Sequence, residues 1–435
     1  MTTEAARAID RRLLALAIPA VFTLAAEPLY VLADTAIIGH LGTGSLAGLG
    51  LASIVLTTSA GLCNVLTWGT TSRVGFLRGA GDDAGVGRVA ATVLWLALAL
   101  GGAVAALLIV TAPVVLRALG GEGSVLDEAL IYLRVGSLGM PALLLAWAGQ
   151  GVARGEGDTR GPLFVIIAAN VANLIFDVLF VFVFDWGLAG SAWGTVLAQW
   201  GAAAVFAVRL LRRSGGHVRA DRAELRGLAH VSTNLVIRTA ALFTALTIAS
   251  AAAARIDAVS LAAHQVLAQL NLFAAFVIDA PAIAAQALVA EASGMGDRDR
   301  FELVTRRAVR LTAISAGSLF VVLLAGWRLI PAVFSDDVRV VEAVAAVMPI
   351  VAFMQFPGGA AYLLDGVVMG AGDFKTAKWS TLAATVVFSI PAIAVLIQPS
   401  LGLRVLWLGL VAWAATRALV NATGLRRDRA TLVAK

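Results

Sequence analysis

A single cysteine, Cys63, in 435 residues excludes a disulfide framework and a thiolate metal cluster. Charge is also scarce. Asp, Glu, Lys and Arg make up 14% of the chain, where a soluble domain carries about a quarter. The four histidines show no metal-ligand spacing. No glycine-rich stretch carries the Lys-Ser/Thr of a phosphate loop or follows a strand-like run. No nucleophile or paired His and Asp stands near a helix end, so nothing points to an intramembrane enzyme. What remains is apolar: 60% of the residues are hydrophobic and the mean hydropathy is +0.89. The chain reads as an all-α polytopic membrane protein. Its net charge of +6 lies in short connectors between apolar runs, which marks membrane topology and not a nucleic-acid partner.

A spanning helix needs about 20 mostly apolar residues. Such runs recur at 13–38, 46–77, 88–112, 128–153, 162–184, 188–211, 229–253, 261–290, 304–326, 340–369, 376–397 and 402–421, which predicts twelve transmembrane helices. The first follows a basic start without a small-residue cleavage site, so it reads as a retained helix and not a signal. Most of the Lys and Arg residues, including the run from Arg209 to Arg226 and a tail counted from Arg417, fall on the side of the N-terminus. The positive-inside rule then puts both termini in the cytoplasm of a cell-membrane protein.

The chain also repeats itself. "GAGD" (Gly79–Asp82) returns as "GMGD" (Gly294–Asp297), "GVARGEGDTR" (Gly151–Arg160) as "GVVMGAGDFK" (Gly366–Lys375), and "SLA" (Ser45–Ala47) at Ser260–Ala262. Each pair is 215 positions apart. Six spans per copy is an even number, so the copies enter the membrane in the same direction and form two six-helix lobes related by a parallel pseudo-two-fold repeat. The predicted division is an N-lobe at 1–212, a cytoplasmic loop at 213–228 and a C-lobe at 229–435. Two such lobes suit a central site and alternating access.

With "LADTAIIGHLG" in the first span, "SLAAHQV" (Ser260–Val266) in the eighth and the Gly-x-Gly-Asp turns, the sequence resembles the multidrug and toxic compound extrusion (MATE) transporters. Asp-Thr-Ala in the first span, Arg238 and Asp279 are similar to the DinF-type branch. The resemblance implies an antiporter that exports amphipathic, often cationic small molecules on a proton or sodium gradient. It implies no cofactor, and we expect a monomer whose partners are a small-molecule substrate and the lipid bilayer.

Five acids lie within predicted spans: Glu27, Asp34, Asp177, Asp279 and Asp365. Such groups are costly in a bilayer; they either join helices by hydrogen bonds or line an ion or substrate path. Asn170, Asn173 and Asp177 recur at helical spacing and form one polar stripe. By resemblance, Asp34, Asn173, Asp177 and Thr195 match the N-lobe cation or proton site, and Gln150 falls where the family places a further polar side chain. Two carboxylates in a low-dielectric cavity cannot both ionise easily, so Asp34 and Asp177 are expected to share a proton. Arg238 is expected to pair with Asp279 or Asp365, because an isolated buried guanidinium is too costly. In some relatives a carboxylate of the seventh span and the equivalent of Asp365 build a sodium site; the seventh span here has no acid, although sodium coupling stays open. Glu27 either lines the cavity or satisfies local backbone. Phe273, Phe276, Phe353, Met354 and Phe356 are candidates for an apolar substrate cavity. The alternative in transport is a flippase for a lipid-linked substrate.

Overall fold

A computed structural model describes residues 3–39, 41, 43–217 and 219–432; at 3, 27–33, 36, 39, 43 and 427–432 only the backbone is described. The side chain of Glu27 therefore lies outside the described residues. Fifteen α-helices follow in order: α1 (Thr3–Gly39), α2 (Thr43–Cys63), α3 (Val65–Gly79), α4 (Asp83–Ala118), α5 (Gly123–Ser137), α6 (Met140–Gly155), α7 (Arg160–Val178), α8 (Gly187–Arg213), α9 (Arg222–Ile256), α10 (Ala258–Gly294), α11 (Arg298–Ala325), α12 (Leu329–Phe334), α13 (Val338–Gly370), α14 (Phe374–Ile397) and α15 (Gly402–Leu432). A π-helical turn (Leu179–Val183) extends α7.

Among the described residues, ten helical segments are long and apolar enough to cross a bilayer. The segment Gly44–Gly79 counts as one of them, and α5 with α6, bent by 44°, makes an eleventh. Helix α1, 37 residues long, covers the first predicted run. The twelve apolar runs thus fall one to one on helices or helix pairs.

The Gly-x-Gly-Asp segments explain how the chain reverses so tightly. Gly81, Gly157, Gly296 and Gly372 have φ of +74°, +81°, +64° and +83°, the left-handed region that suits glycine. After each, an aspartate N–H bonds back five residues: Asp82 to Leu77, Asp158 to Ala153, Asp297 to Ala292 and Asp373 to Val368. This closes the helix by satisfying its orphan carbonyls. The same aspartate caps the next helix, its Oδ1 accepting from Gly85, Gly161, Arg300 or Thr376 N at 2.7–3.0 Å. All four turns obey the 215-residue offset.

So does one helix contact in each half. A Cβ on Gly151 or Gly155 of α6 would come within 2.8 Å of the Thr67 or Thr71 carbonyl of α3. At the offset positions, a Cβ on Gly366 or Gly370 of α13 would meet the Ala282 or Gln286 carbonyl of α10 at 2.5 and 2.6 Å. Small residues one turn apart let these backbones touch, as membrane helices do where apolar transfer supplies little driving force.

The chain separates into two compact units, Phe22–Ser232, and Met1–Val21 with Thr233–Lys435. The divisions fall inside α1 and α9, not in the polar connector, and residues from Arg222 onward are already helical. Ion pairs give the reason. Arg12 Nη2 meets Glu291 Oε2 at 2.6 Å, and Arg307 Nη1 lies 3.5 Å from Asp10 Oδ2, so the start of α1 belongs with α10 and α11. In the other unit Arg73 meets Glu224 at 2.7 Å, and the Asp221 N–H donates to Thr92 Oγ1 at 2.9 Å, which fastens the start of α9. Each unit has its own apolar core.

Candidate functional site

Asp34 of α1 is buried at 5% exposure and Asp177 of α7 is fully buried. The Ser191 hydroxyl of α8 donates to Asp34 Oδ1 at 2.8 Å. With its amide oriented to satisfy both ends, Asn173 donates to Asp177 Oδ2 at 2.9 Å; its oxygen accepts from Thr195 Oγ1 at 3.1 Å and Thr195 N at 2.9 Å. Asp177 Oδ1 has no hydrogen-bond partner. The Tyr132 ring of α5 brings its hydroxyl against Ser191 and Thr195, within electrostatic reach of both acids. Asp34 and Asp177 also lie within electrostatic reach of each other. The structure thus brings Asp34, Asn173, Asp177 and Thr195 into one cluster.

Local sequence explains the positions. Asn173 and Asp177 share a face of α7 at i, i+4 spacing, and Ser191 and Thr195 do the same on α8. Asp177 stands just before the π-helical turn, a widened geometry that often marks functional sites. Gly194 matters by what it lacks: a Cβ there would lie 2.6 Å from Asp177 Oδ1. Gly194→Ala should therefore fold, with an overpacking cost of about 1–3 kcal/mol, but push the carboxylate off its position. Gradient-driven transport by the reconstituted variant should drop sharply while substrate binding persists; transport at the wild-type rate would show that this placement is dispensable.

Asn170 of the stripe serves a different end. Its Nδ2 donates to the Ala26 carbonyl of α1 at 3.2 Å and so joins α7 to α1. Gln150 is buried on α6 and accepts from Arg154 Nη2 at 3.3 Å.

A second polar cluster occupies the other unit. Asp365 of α13 is 2% exposed and accepts from Arg238 of α9, Arg417 of α15 and Asn421 of α15. Arg238 forms an ion pair with Asp365, one of its two expected partners. Asp279 stands within electrostatic reach of Tyr362, as do Arg238, Asp365 and Arg417. Arg417 lies 4.5 Å from the Trp413 ring and 5.4 Å from that of Tyr362, cation–π contacts that help hold a desolvated guanidinium.

Arg417 corrects the sequence reading. It counts there with the cytoplasmic tail, yet it lies within the twelfth apolar run on α15, with 0% exposure, and donates to Asp365. Arg154 is likewise buried, at the end of α6. Ser191, Tyr132, Arg417 and Asn421 escape sequence reasoning. The available hint is spacing: Ser191 precedes Thr195, and Arg417 precedes Asn421, by one helical turn. Among the cavity candidates, Met354 is in an apolar core at 7% exposure, whereas Phe273, Phe353 and Phe356 are exposed. Phe276 packs edge-on against Phe273.

A two-copy helical bundle with paired acids buried among hydroxyls and an amide is the build of a membrane transporter, and not of an enzyme. The chain belongs to the MatE family, whose profile matches residues 19–179 and again 235–395, two copies of the same length. It is 30% identical over 431 residues to "Protein DETOXIFICATION 44, chloroplastic" of Arabidopsis thaliana, covering 95% of this chain and 82% of that protein. It is 29% identical over 429 residues to "DNA damage-inducible protein F" of Escherichia coli (strain K12), covering 96% and 92%. A solved structure described as "Outward-facing conformation of a multidrug resistance MATE family transporter of the MOP superfamily" superposes with a TM-score of 0.90 at 20% identity, covering all of both chains.

Proposed function

We propose that this protein is a secondary active antiporter that exports amphipathic, cationic small molecules by alternating access, coupled to proton influx through Asp34 and Asp177. The observation that carries the reading is the second acid: Asp177 is wholly buried, its Oδ1 is unpartnered, and Asp34 is close by. Two ionised carboxylates held there would repel each other in a low dielectric. A proton or the positive charge of a substrate relieves that repulsion, and competition between the two couples their opposite movements. Asn173, Thr195, Ser191 and Tyr132 orient the carboxylates.

Protons are favoured over sodium on chemical grounds. Asp365 already receives two guanidiniums and an amide, a set of donors where a sodium ion would need acceptors. The assay is transport by purified protein in sealed vesicles under separate gradients. A proton gradient alone should drive uptake of a cationic dye, and a sodium gradient at equal pH should not. Drive by sodium alone would reverse the assignment.

The distribution of Arg and Lys supports a cell-membrane protein with both termini in the cytoplasm. With Cys63 first replaced by alanine, cysteines at Asp83 and Arg298, both at the starts of helices after Gly-x-Gly-Asp turns, should react with an impermeant thiol reagent from the cytoplasmic side only. Labelling of either from outside would overturn this topology.

One observation favours a second reading, export of an anionic or lipid-linked substrate. Arg417 Nε and Nη1 are buried without acceptors, and a substrate phosphate or carboxylate would satisfy them. In the vesicle assay this reading requires movement of an anionic probe and indifference to cationic dyes.

A further inference from the structure

The ends of α6 and α8 enclose a cavity of about 410 Å³ that the transport site does not use. Its floor is apolar and buried: Gly149, Val152 and Ala153 of α6, and Leu210 of α8. Its rim is charged, with Arg209, Arg212 and Arg213 from the last turn of α8 and Glu156 and Asp158 after α6. Arg213 binds Glu156 and also Asp83, the latter at 2.8 Å. Arg209 Nη1 lies 3.7 Å from Asp158 Oδ2. Arg212 is exposed and has no ion pair among the described residues, so its guanidinium can take an anion at the rim.

The repeat shows that helix packing does not demand this arrangement. At the 215-residue offset, Glu156, Arg209 and Arg213 correspond to Ala371, Gly424 and Asp428. There a Cβ on Gly424 of α15 would lie 2.4 Å from Thr376 Cγ2 of α14, which leaves no room for a side chain at the position of Arg209. Arg212 and Asp158 recur as Arg427 and Asp373, whereas Glu156, Arg209 and Arg213 belong to one half only.

We propose that this cavity is a binding site for the headgroup of an anionic phospholipid. The lipid phosphate sits at Arg212 and the free edge of Arg209, and the first acyl carbons lie on the floor formed by Val152, Ala153 and Leu210. Arginine suits this task because its fork pairs with phosphate oxygens. Helix ends at a bilayer boundary are where basic pockets meet lipid headgroups. A lipid, and not a free phosphate ion, is the occupant because the rim is charged while the floor is apolar.

The experiment is native mass spectrometry of the full-length protein in detergent, incubated with dioleoyl phosphatidylglycerol or dioleoyl phosphatidylcholine. Wild-type protein should retain the anionic lipid preferentially. Arg212→Gln should lower that retention about fivefold, the worth of one interfacial basic residue. Arg212→Lys should keep most of it. Equal retention of the two lipids overturns the proposal, as does an unchanged preference in Arg212→Gln. Displacement of phosphatidylglycerol by inorganic phosphate at equal concentration also overturns it, in favour of a free-anion site.

Discussion

Asp34→Asn is expected to fold, insert and bind substrate, yet fail to drive export against a gradient. Asparagine keeps the size of the side chain and can still accept from Ser191, which in the wild type donates to Asp34 Oδ1 at 2.8 Å. What it cannot do is gain and lose a proton. A gradient performs work only through a group that binds the ion differently in two states of the protein, so uphill transport should fall to the passive leak while substrate binding remains. Asp177→Asn should weaken coupling as well, because it removes the charge that makes simultaneous ionisation unfavourable. The measurement is proton-driven efflux from vesicles with insertion verified. Wild-type rates in Asp34→Asn would make Asp34 a structural hydrogen-bonding group and move the search to Asp365.

The largest effect on stability should come from Asp365→Ala. That change removes the carboxylate that accepts from Arg238, Arg417 and Asn421 in a fully buried setting. Arg417 then loses the carboxylate it donates to, and breaking one side of a buried pair costs about 3–5 kcal/mol. The thermal transition of purified protein should drop markedly. Adding Arg417→Met should recover part of the loss, since an apolar side chain of similar length fills the space without a stranded charge. A single variant as stable as wild type would show that the cluster does not hold this unit together; altered ion dependence at normal stability would instead place Asp365 in coupling.

The halves share packing and not chemistry. The turns at Gly81 and Gly296 and the glycine contacts at Gly151 and Gly366 match at the offset. The polar groups do not: Asp34, Asn173 and Asp177 correspond to Ala249, Phe388 and Ala392, while Arg417 and Asn421 correspond to Ala202 and Phe206. Where a polar counterpart does occur its chemistry differs: Asp365 corresponds to Gln150, Arg238 to Thr23, Asp279 to Asn64 and Asn170 to Thr385. A repeat found by self-comparison could therefore locate the scaffold and say little about which half carries which charge.

The sequence by itself determined the membrane class, the apolar helical runs, the repeat and the acids worth examining. These depend on local quantities: run length, hydropathy, glycine spacing and helical period. Asn173 and Asp177 were legible together because four residues on one helix share a face. Only the tertiary structure decided the partners. Ser191 meets Asp34 across 157 positions, Asp365 meets Arg238 across 127, and Arg417 belongs to the core and not the tail because it meets Asp365 across 52. A buried charge is satisfied by whichever donor the packing of distant helices delivers, and no local pattern encodes that meeting.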